Sequence, residues 1–183
     1  MEKISWKTDL HRYYGSVNYK IFLKAYFFLP GFRYTFWFRK SSNLRGTFNP
    51  LYLFYRLMLR RCSFKYGIDI PCETKIGKGF FINHFSCLII SSDAVIGENV
   101  NVSQGVTIGL ASRGDNKGVA TIGNNVYIGP GAKIVGNVKI GNNVAIGANA
   151  VVTKDVVDNS VIVGIPAKVI SMKGTRGYVI NTV

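Results

Sequence analysis

Among the 183 residues there are only two histidines, His11 and His84. His84 follows Phe81-Ile82-Asn83, two places after an aliphatic that reads as inward, so its side chain is expected to face solvent. Imidazole titrates near neutrality without a large shift, which suits it to take a proton from a hydroxyl as a general base. Asp69 lies fifteen residues earlier. A carboxylate can hold the tautomer of such a histidine, as in a triad, but spacing alone leaves that contact open. The competing readings are a surface histidine without a role and an aspartate that turns a corner. Cys62, Cys72 and Cys87 are odd in number and lack CxxC spacing. They read as reduced thiols of a cytosolic protein, not as a disulfide frame or a zinc site. No base-plus-cysteine pattern makes Cys87 a nucleophile.

The elements that must position these residues follow from a period of six. Ile122, Ile128, Ile134, Ile140, Ile146 and Val152 are spaced by six, and so are Ile96, Val102 and Ile108. Three places after most of them stands Asn or Gly, as in Asn99, Gly105, Asn125, Gly131, Asn143 and Asn149. These residue types enter left-handed backbone at little cost. A chain that does so every sixth residue turns a corner every sixth residue. Neither a helical period nor strict alternation fits. The pattern predicts a mainly β protein, a three-sided parallel β-helix; the motif resembles the hexapeptide repeat of the left-handed β-helix acyltransferases, and that resemblance implies left-handed coils. Three hexads make a coil of roughly eighteen residues, and coils stack about 4.8 Å apart. Residues 68–170 supply about five coils by this count. The phase slips between Leu88 and Ile96, eight residues apart. Residues 110–120 match no hexad and are expected to leave the coil as a mobile loop. Residues 171–183 form a basic tail that folds back or frays.

Residues 1–67 read as a separate, N-terminal α-helical segment. The net charge of +14 is concentrated there: 13 Lys and Arg stand against Glu2 and Asp9. Nineteen of the 24 aromatic residues lie there too. Helices are predicted over 4–28, from Pro30 to about residue 40, and from Asn49-Pro50 to about Lys65, with Ser41–Gly46 as a loop. No nucleic-acid module is recognisable, so nucleic acid is not an expected partner. Two readings of the basic half stay open: peripheral contact with an anionic membrane surface, and packed helices whose Lys and Arg stems snorkel to water. The apolar run Ile21–Phe38 is interrupted by Lys24, Pro30 and Arg33 and is not read as a membrane span. No signal-peptide pattern is present, and a cytoplasmic location is expected.

The stretch GIDIPCETKIGKGFFINHFSCLIISSDAVIGENVNVSQGVTIG resembles the core of serine O-acetyltransferases, left-handed β-helix enzymes that use acetyl-CoA. The resemblance covers roughly residues 66–170. It implies that His84 is the general base and Asp69 its partner. It implies acetyl-CoA as co-substrate, lying in the groove between subunits of a homotrimer or a dimer of trimers. By position, Gly109, Leu110, Pro130 and Ala148 would meet the cofactor backbone-wise, and Lys168 of Pro166-Ala167-Lys168 would meet its phosphates, with Lys133, Lys154 or Lys173 as further candidates. Asn83, Arg113 and Lys117 would contribute to the acceptor site. No metal is implied; a γ-type carbonic anhydrase of the same solenoid needs three zinc histidines, and two are present.

The sequence also departs from that family. Asn83 stands where the serine enzymes carry an aspartate, and Lys117-Gly118-Val119 stands where their loop has an Arg-His pair. A zwitterionic acceptor without charged anchors would be costly to bind. The expectation is therefore a sugar hydroxyl as acceptor, as in the resembling O-acetyltransferases of capsule, exopolysaccharide and O-antigen synthesis. Serine O-acetylation is the alternative. A non-catalytic β-helix scaffold is the third reading, disfavoured because both His84 and Asp69 are kept.

Overall fold

The computed structural model describes residues 3–183. Four helices precede the β-helix: α1 (Trp6–Tyr14), α2 (Tyr19–Phe28), α3 (Pro30–Leu44) and α4 (Leu51–Tyr66). The single helix expected over 4–28 is two. Gly15 closes α1 in left-handed conformation at φ 66°, and the Asn18 side chain accepts from Ile21 N at 2.9 Å to start α2. These caps outweigh the continuous apolar pattern. α3 runs through Ser41–Leu44, where a loop was expected. Ser41 is buried there, and the Asn43 amide bonds both backbone groups of Ile4, so tertiary contact overrides weak local propensity. Asn49 caps α4 by accepting from Leu51 N at 2.9 Å.

Five coils follow. The first holds β1 (Ile68–Asp69), β2 (Lys75–Ile76) and β3 (Phe81–Ile82); the second holds β4 (Leu88–Ile90), β5 (Val95–Ile96) and β6 (Asn101–Val102). The third holds β7 (Thr107–Gly109), β8 (Thr121–Ile122) and β9 (Tyr127–Ile128), and the fourth β10 (Lys133–Val135), β11 (Lys139–Ile140) and β12 (Ala145–Ile146). The last has β13 (Val151–Val152), a bridge of Val156 to Ile140, and β14 (Val161–Val163). β1, β4, β7, β10 and β13 stack as one parallel face; β2, β5, β8 and β11 as a second; β3, β6, β9, β12 and β14 as a third, closed by antiparallel β15 (Lys168–Ser171). This is a left-handed β-helix with an N-terminal helical segment. The interior is a column of Ile, Val and Ala, nearly all below 4% exposed.

From the second coil on, an asparagine at one recurring position turns the corner between the second and third faces. Asn99, Asn125, Asn143 and Asn159 take positive φ of 55–62°. The preceding residues lock successive coils: Asn124 Oδ1 accepts from Glu98 N and Asn142 Oδ1 from Asn124 N, each at 2.8 Å. Gly97 is required by crowding, since a Cβ there would lie 2.6 Å from the Gly123 carbonyl oxygen.

The pairing relocates the phase slip. Ile90, not Leu88, aligns with Ile108, Ile134 and Val152. Ile82 aligns with Val102 and Ile128. Eight residues therefore separate Ile82 from Ile90, where the corresponding step in later coils takes six. The two extra residues fall in the corner that contains His84.

The helical segment caps the open edge of the first coil, which would otherwise leave strand N–H and C=O groups unpaired. On the first face the Tyr34 hydroxyl accepts from Ile70 N (3.1 Å) and donates to Ile70 O (2.9 Å). Burial pushes that phenol up to about 12, so the donor persists at any working pH. On the third face Tyr13 does the same for Ile82, at 3.3 and 2.8 Å. On the second face Arg39 donates to Ile76 O and Gly77 O, each at 2.6 Å. Arg39 also makes a two-pronged ion pair with Asp9 at 2.8 and 3.0 Å, and Asp9 accepts from Phe80 N. Arg12 donates to Gly79 O and Asn101 Oδ1. Part of the basic excess is thus structural.

The tail folds back along the corner of the second and third faces. Thr175 bonds Asn143 Oδ1, Tyr178 stacks on Tyr127 at 4.5 Å, Ile180 O accepts from Arg12, and Val183 N donates to Asn99 Oδ1.

Candidate active site

His84 lies in the widened corner, Asn83–Cys87, between β3 and β4. All five residues are exposed. In regular corners an Asn or Gly three places after the inward residue takes the left-handed turn. Here Ser86 (φ 97°) and Cys87 (φ 51°) take it instead. Neither residue enters that region readily, and strain of this kind persists where surrounding contacts over-determine it. Those contacts are present: Asn83 N donates to Val102 O (3.0 Å), Gly105 N to Ser86 O (3.0 Å) and Leu88 N to Gly67 O (3.1 Å). The Phe85 ring meets Tyr66 edge-on at 5.6 Å. The corner is held at both ends, and His84 projects from it.

Asp69 occupies the outer side of β1 beside Ile89 of β4. It is exposed and lines a groove of about 550 Å³ with Arg56, Arg60 and Cys72. Among the described residues, neither the Asp69 carboxylate nor the His84 imidazole has a hydrogen-bond partner, so the contact between them is not made in the single chain. Gln104, which sequence reasoning passed over, pairs in register one coil beyond His84. Its Oε1 is buried and without a partner among the described residues. Only the alignment of Ile82 with Val102 could have found it, by setting Gln104 beside His84.

The other predicted residues divide between two edges of the first face. Pro130 and Ala148 lie at its entry, in the corner column that begins with His84. A chain of bonds runs along that column: Gly105 N to Ser86 O, Gly131 N to Gln104 O, Asn149 N to Pro130 O. Pro130 has no N–H, so its carbonyl is the backbone group it could offer a ligand, and that carbonyl already accepts one internal bond. Gly109 and Leu110 lie at the exit edge, where residues 110–120 depart. Leu110 is 55% exposed, and Arg113 and Lys117 are exposed on the loop. The loop is tied at its neck by the Ala111–Gly118 bridge and at its tip by Asn116 Nδ2 donating to Thr153 O at 2.7 Å. Lys168 is exposed and lines a cavity of about 290 Å³ with Lys154, Pro166 and Ala167. Lys133 is engaged internally, its Nζ donating to Gly105 O and Thr107 Oγ1.

Burial pushes the Cys62 and Cys72 thiols up, which lowers their thiolate fraction. Cys87 is exposed in the His84 corner. A maleimide added to the native protein is expected to label Cys87 in one fast phase, with Cys62 and Cys72 reacting only on unfolding. Mass spectrometry of labelled peptides checks this; fast labelling of Cys62 or Cys72 would contradict their burial.

Residues 120–154 match the model of the bacterial transferase hexapeptide family (six repeats). A serine acetyltransferase of Staphylococcus epidermidis is 41% identical over 128 residues, covering 70% of this chain and 60% of the relative. The crystal structure of serine acetyltransferase from Brucella abortus matches with a TM-score of 0.78 at 31% identity, over 92% of this chain and 68% of that one. That of Neisseria gonorrhoeae serine acetyltransferase in complex with serine matches at 0.75 and 28%, over 91% and 67%. The chain belongs to the hexapeptide-repeat acyltransferases of the serine acetyltransferase family. It spans about 60% of the length of the curated relative from S. epidermidis.

These matches overturn the expectation of a sugar acceptor in surface-polysaccharide synthesis. Similarity runs to serine acetyltransferases in both sequence and fold. The expectation weighed two departures, at Asn83 and at Lys117-Gly118-Val119, too heavily. The exposed loop still carries two cations, Arg113 and Lys117, and the Asn83 side chain is exposed beside His84, so groups able to meet a carboxylate and an ammonium remain.

Proposed function

We propose that the chain is an acetyl-CoA-dependent serine O-acetyltransferase. The observation that carries the chemistry is the widened, strained corner that sets His84 outside the wall at the start of the first face. The acceptor reading rests on the serine acetyltransferase relatives. In this reading His84 takes the proton of the serine hydroxyl as that oxygen attacks the thioester carbonyl. The tetrahedral intermediate collapses with departure of the CoA sulfur, which receives the proton from the imidazolium. The products are O-acetylserine and CoA thiol, and no acyl-enzyme forms. Asp69 is the positioning partner of His84.

A homotrimer, alone or paired, is part of the proposal. It is supported by the position of the candidate residues on opposite edges of one face: His84, Pro130 and Ala148 at one, Gly109, Leu110, Arg113 and Lys117 at the other. Packing edge to edge around a three-fold axis brings the loop of one copy to the His84 corner of the next. Arg113 and Lys117 then serve the serine carboxylate, and the Asn83 amide oxygen accepts from its ammonium. The exposed Lys168 and Lys154 suit the CoA phosphates. No helix among the described residues is long and apolar enough to cross a membrane; the basic, aromatic helical segment is the part suited to peripheral contact.

The test is initial-rate kinetics of thiol release with L-serine as acceptor. Saturable release with kcat/KM of about 10⁴ M⁻¹s⁻¹ or more is expected, and no release above hydrolysis would refute the reading. Asn83→Asp is expected to lower the serine KM by roughly fivefold, because a charged acceptor strengthens the bond to ammonium by about 1 kcal/mol. An unchanged KM would remove Asn83 from the acceptor site.

A further inference from the structure

α4 carries large apolar residues on both sides, those on the outer side interleaved with Arg56, Arg60, Arg61 and Lys65. It turns Leu59, Cys62 and Tyr66 into the core, while Leu53, Leu57 and Phe64 point away from it, 72%, 59% and 76% exposed. At the end of α2, Phe27 and Phe28 are also exposed. Phe27 and Phe64 both line a cavity of about 550 Å³ between α2, α3 and α4, Leu57 and Phe64 both line the groove beside Asp69, and Leu53 lies one helical turn before Leu57. Trp37, in the same cavity, keeps a buried indole N–H with no partner among the described residues. Several large apolar side chains exposed together on the outer side of a helix mark a surface that meets an apolar partner.

The charge around this surface selects what covers it. Residues 16–67 hold ten Lys and Arg and no Asp or Glu. Arg39 is engaged in the end cap, and Arg33 donates to Tyr26 O, Phe27 O and the Tyr66 hydroxyl. Lys20, Lys24, Arg56, Arg60, Arg61 and Lys65 are exposed and border the apolar stripe. A second copy of the same face would set like charge against like charge. A nucleic-acid backbone would leave five large apolar side chains without apolar partners.

We propose that this face docks peripherally on a bilayer that contains anionic lipid. Phe27, Phe28, Leu53, Leu57 and Phe64 enter the boundary between headgroups and acyl chains, and the six exposed cations meet the lipid phosphates. The inference is independent of the acetyl-transfer reading and is tested without an activity assay.

The experiment is flotation of the full chain with vesicles of phosphatidylcholine alone and of phosphatidylcholine mixed with phosphatidylglycerol, at low and high salt. The chain is expected to float with the anionic vesicles only, and less so as salt screens the cations. Arg60→Gln is expected to lower partitioning about fivefold, the factor that about 1 kcal/mol per basic side chain represents. Leu57→Ser with Phe64→Ser is expected to lower it by roughly tenfold or more. All three substitutions are at exposed positions; circular dichroism and sedimentation monitor fold and assembly. Absence of flotation at low salt overturns the proposal. So does flotation that ignores the Leu57→Ser and Phe64→Ser changes. A smaller sedimenting species in that double variant, without vesicle binding by the parent chain, would instead make this face a contact between copies.

Discussion

His84→Ala is expected to lower acetyl transfer by about 10²–10⁴-fold, the usual contribution of a positioned general base. The loss should appear in kcat, with the affinity for acetyl-CoA close to unchanged, because the role proposed for the imidazole is on the acceptor hydroxyl. The melting temperature should stay within a degree or two, since His84 is exposed and has no hydrogen-bond partner among the described residues. Asp69→Asn keeps the shape and removes the charge, so its effect should be smaller. Both variants are assayed at a concentration where sedimentation shows the same species as the parent chain, so that a change in assembly is not read as a change in chemistry. Full turnover by His84→Ala would dismiss this base. A large change in melting temperature would mean that the corner, not the imidazole, had been damaged.

Arg39→Ala is expected to cost about 3–5 kcal/mol of folding stability, the range for removing one member of a buried ion pair. The substitution strands the Asp9 carboxylate, which is fully buried, and leaves Ile76 O and Gly77 O without the donors that close the second face. For a chain of this size such a loss lowers the melting temperature by roughly 6–20 °C. Denaturant unfolding followed by circular dichroism measures it. A shift of a degree or less would mean that the helical segment only rests on the β-helix and does not cap it.

The repeat was legible because two local rules coincide every six residues: an aliphatic that must go inside, and an Asn or Gly that accepts a left-handed turn. The widened corner was not legible. Leu88-Ile89-Ile90 are all apolar, so the sequence does not say which of them continues the inward row; only the pairing of Ile90 with Ile108 does. His84 was singled out because it is rare and stands two places after an inward residue, and its outward placement in the corner is what the structure adds. Gln104 was missed because glutamine carries no such signal until the coils are aligned. The helical segment announced itself by composition, but the partners of Asp9, Tyr13 and Tyr34 lie 30 to 71 residues away along the chain, beyond any local pattern. The sugar acceptor was inferred from single substitutions at Asn83 and in the loop, and the similarity to serine acetyltransferases over most of the chain outweighs them.

The most direct test of the central claim is to follow the acetyl group itself. The full chain is given acetyl-CoA labelled with carbon-13 in the acetyl carbonyl, together with L-serine, and the products are read by NMR while free thiol is counted. The proposal predicts a labelled ester on the serine oxygen, one CoA thiol released for each ester formed, and neither product above background with His84→Ala. Thiol release without a serine ester, or ester formation that persists in His84→Ala, would contradict it.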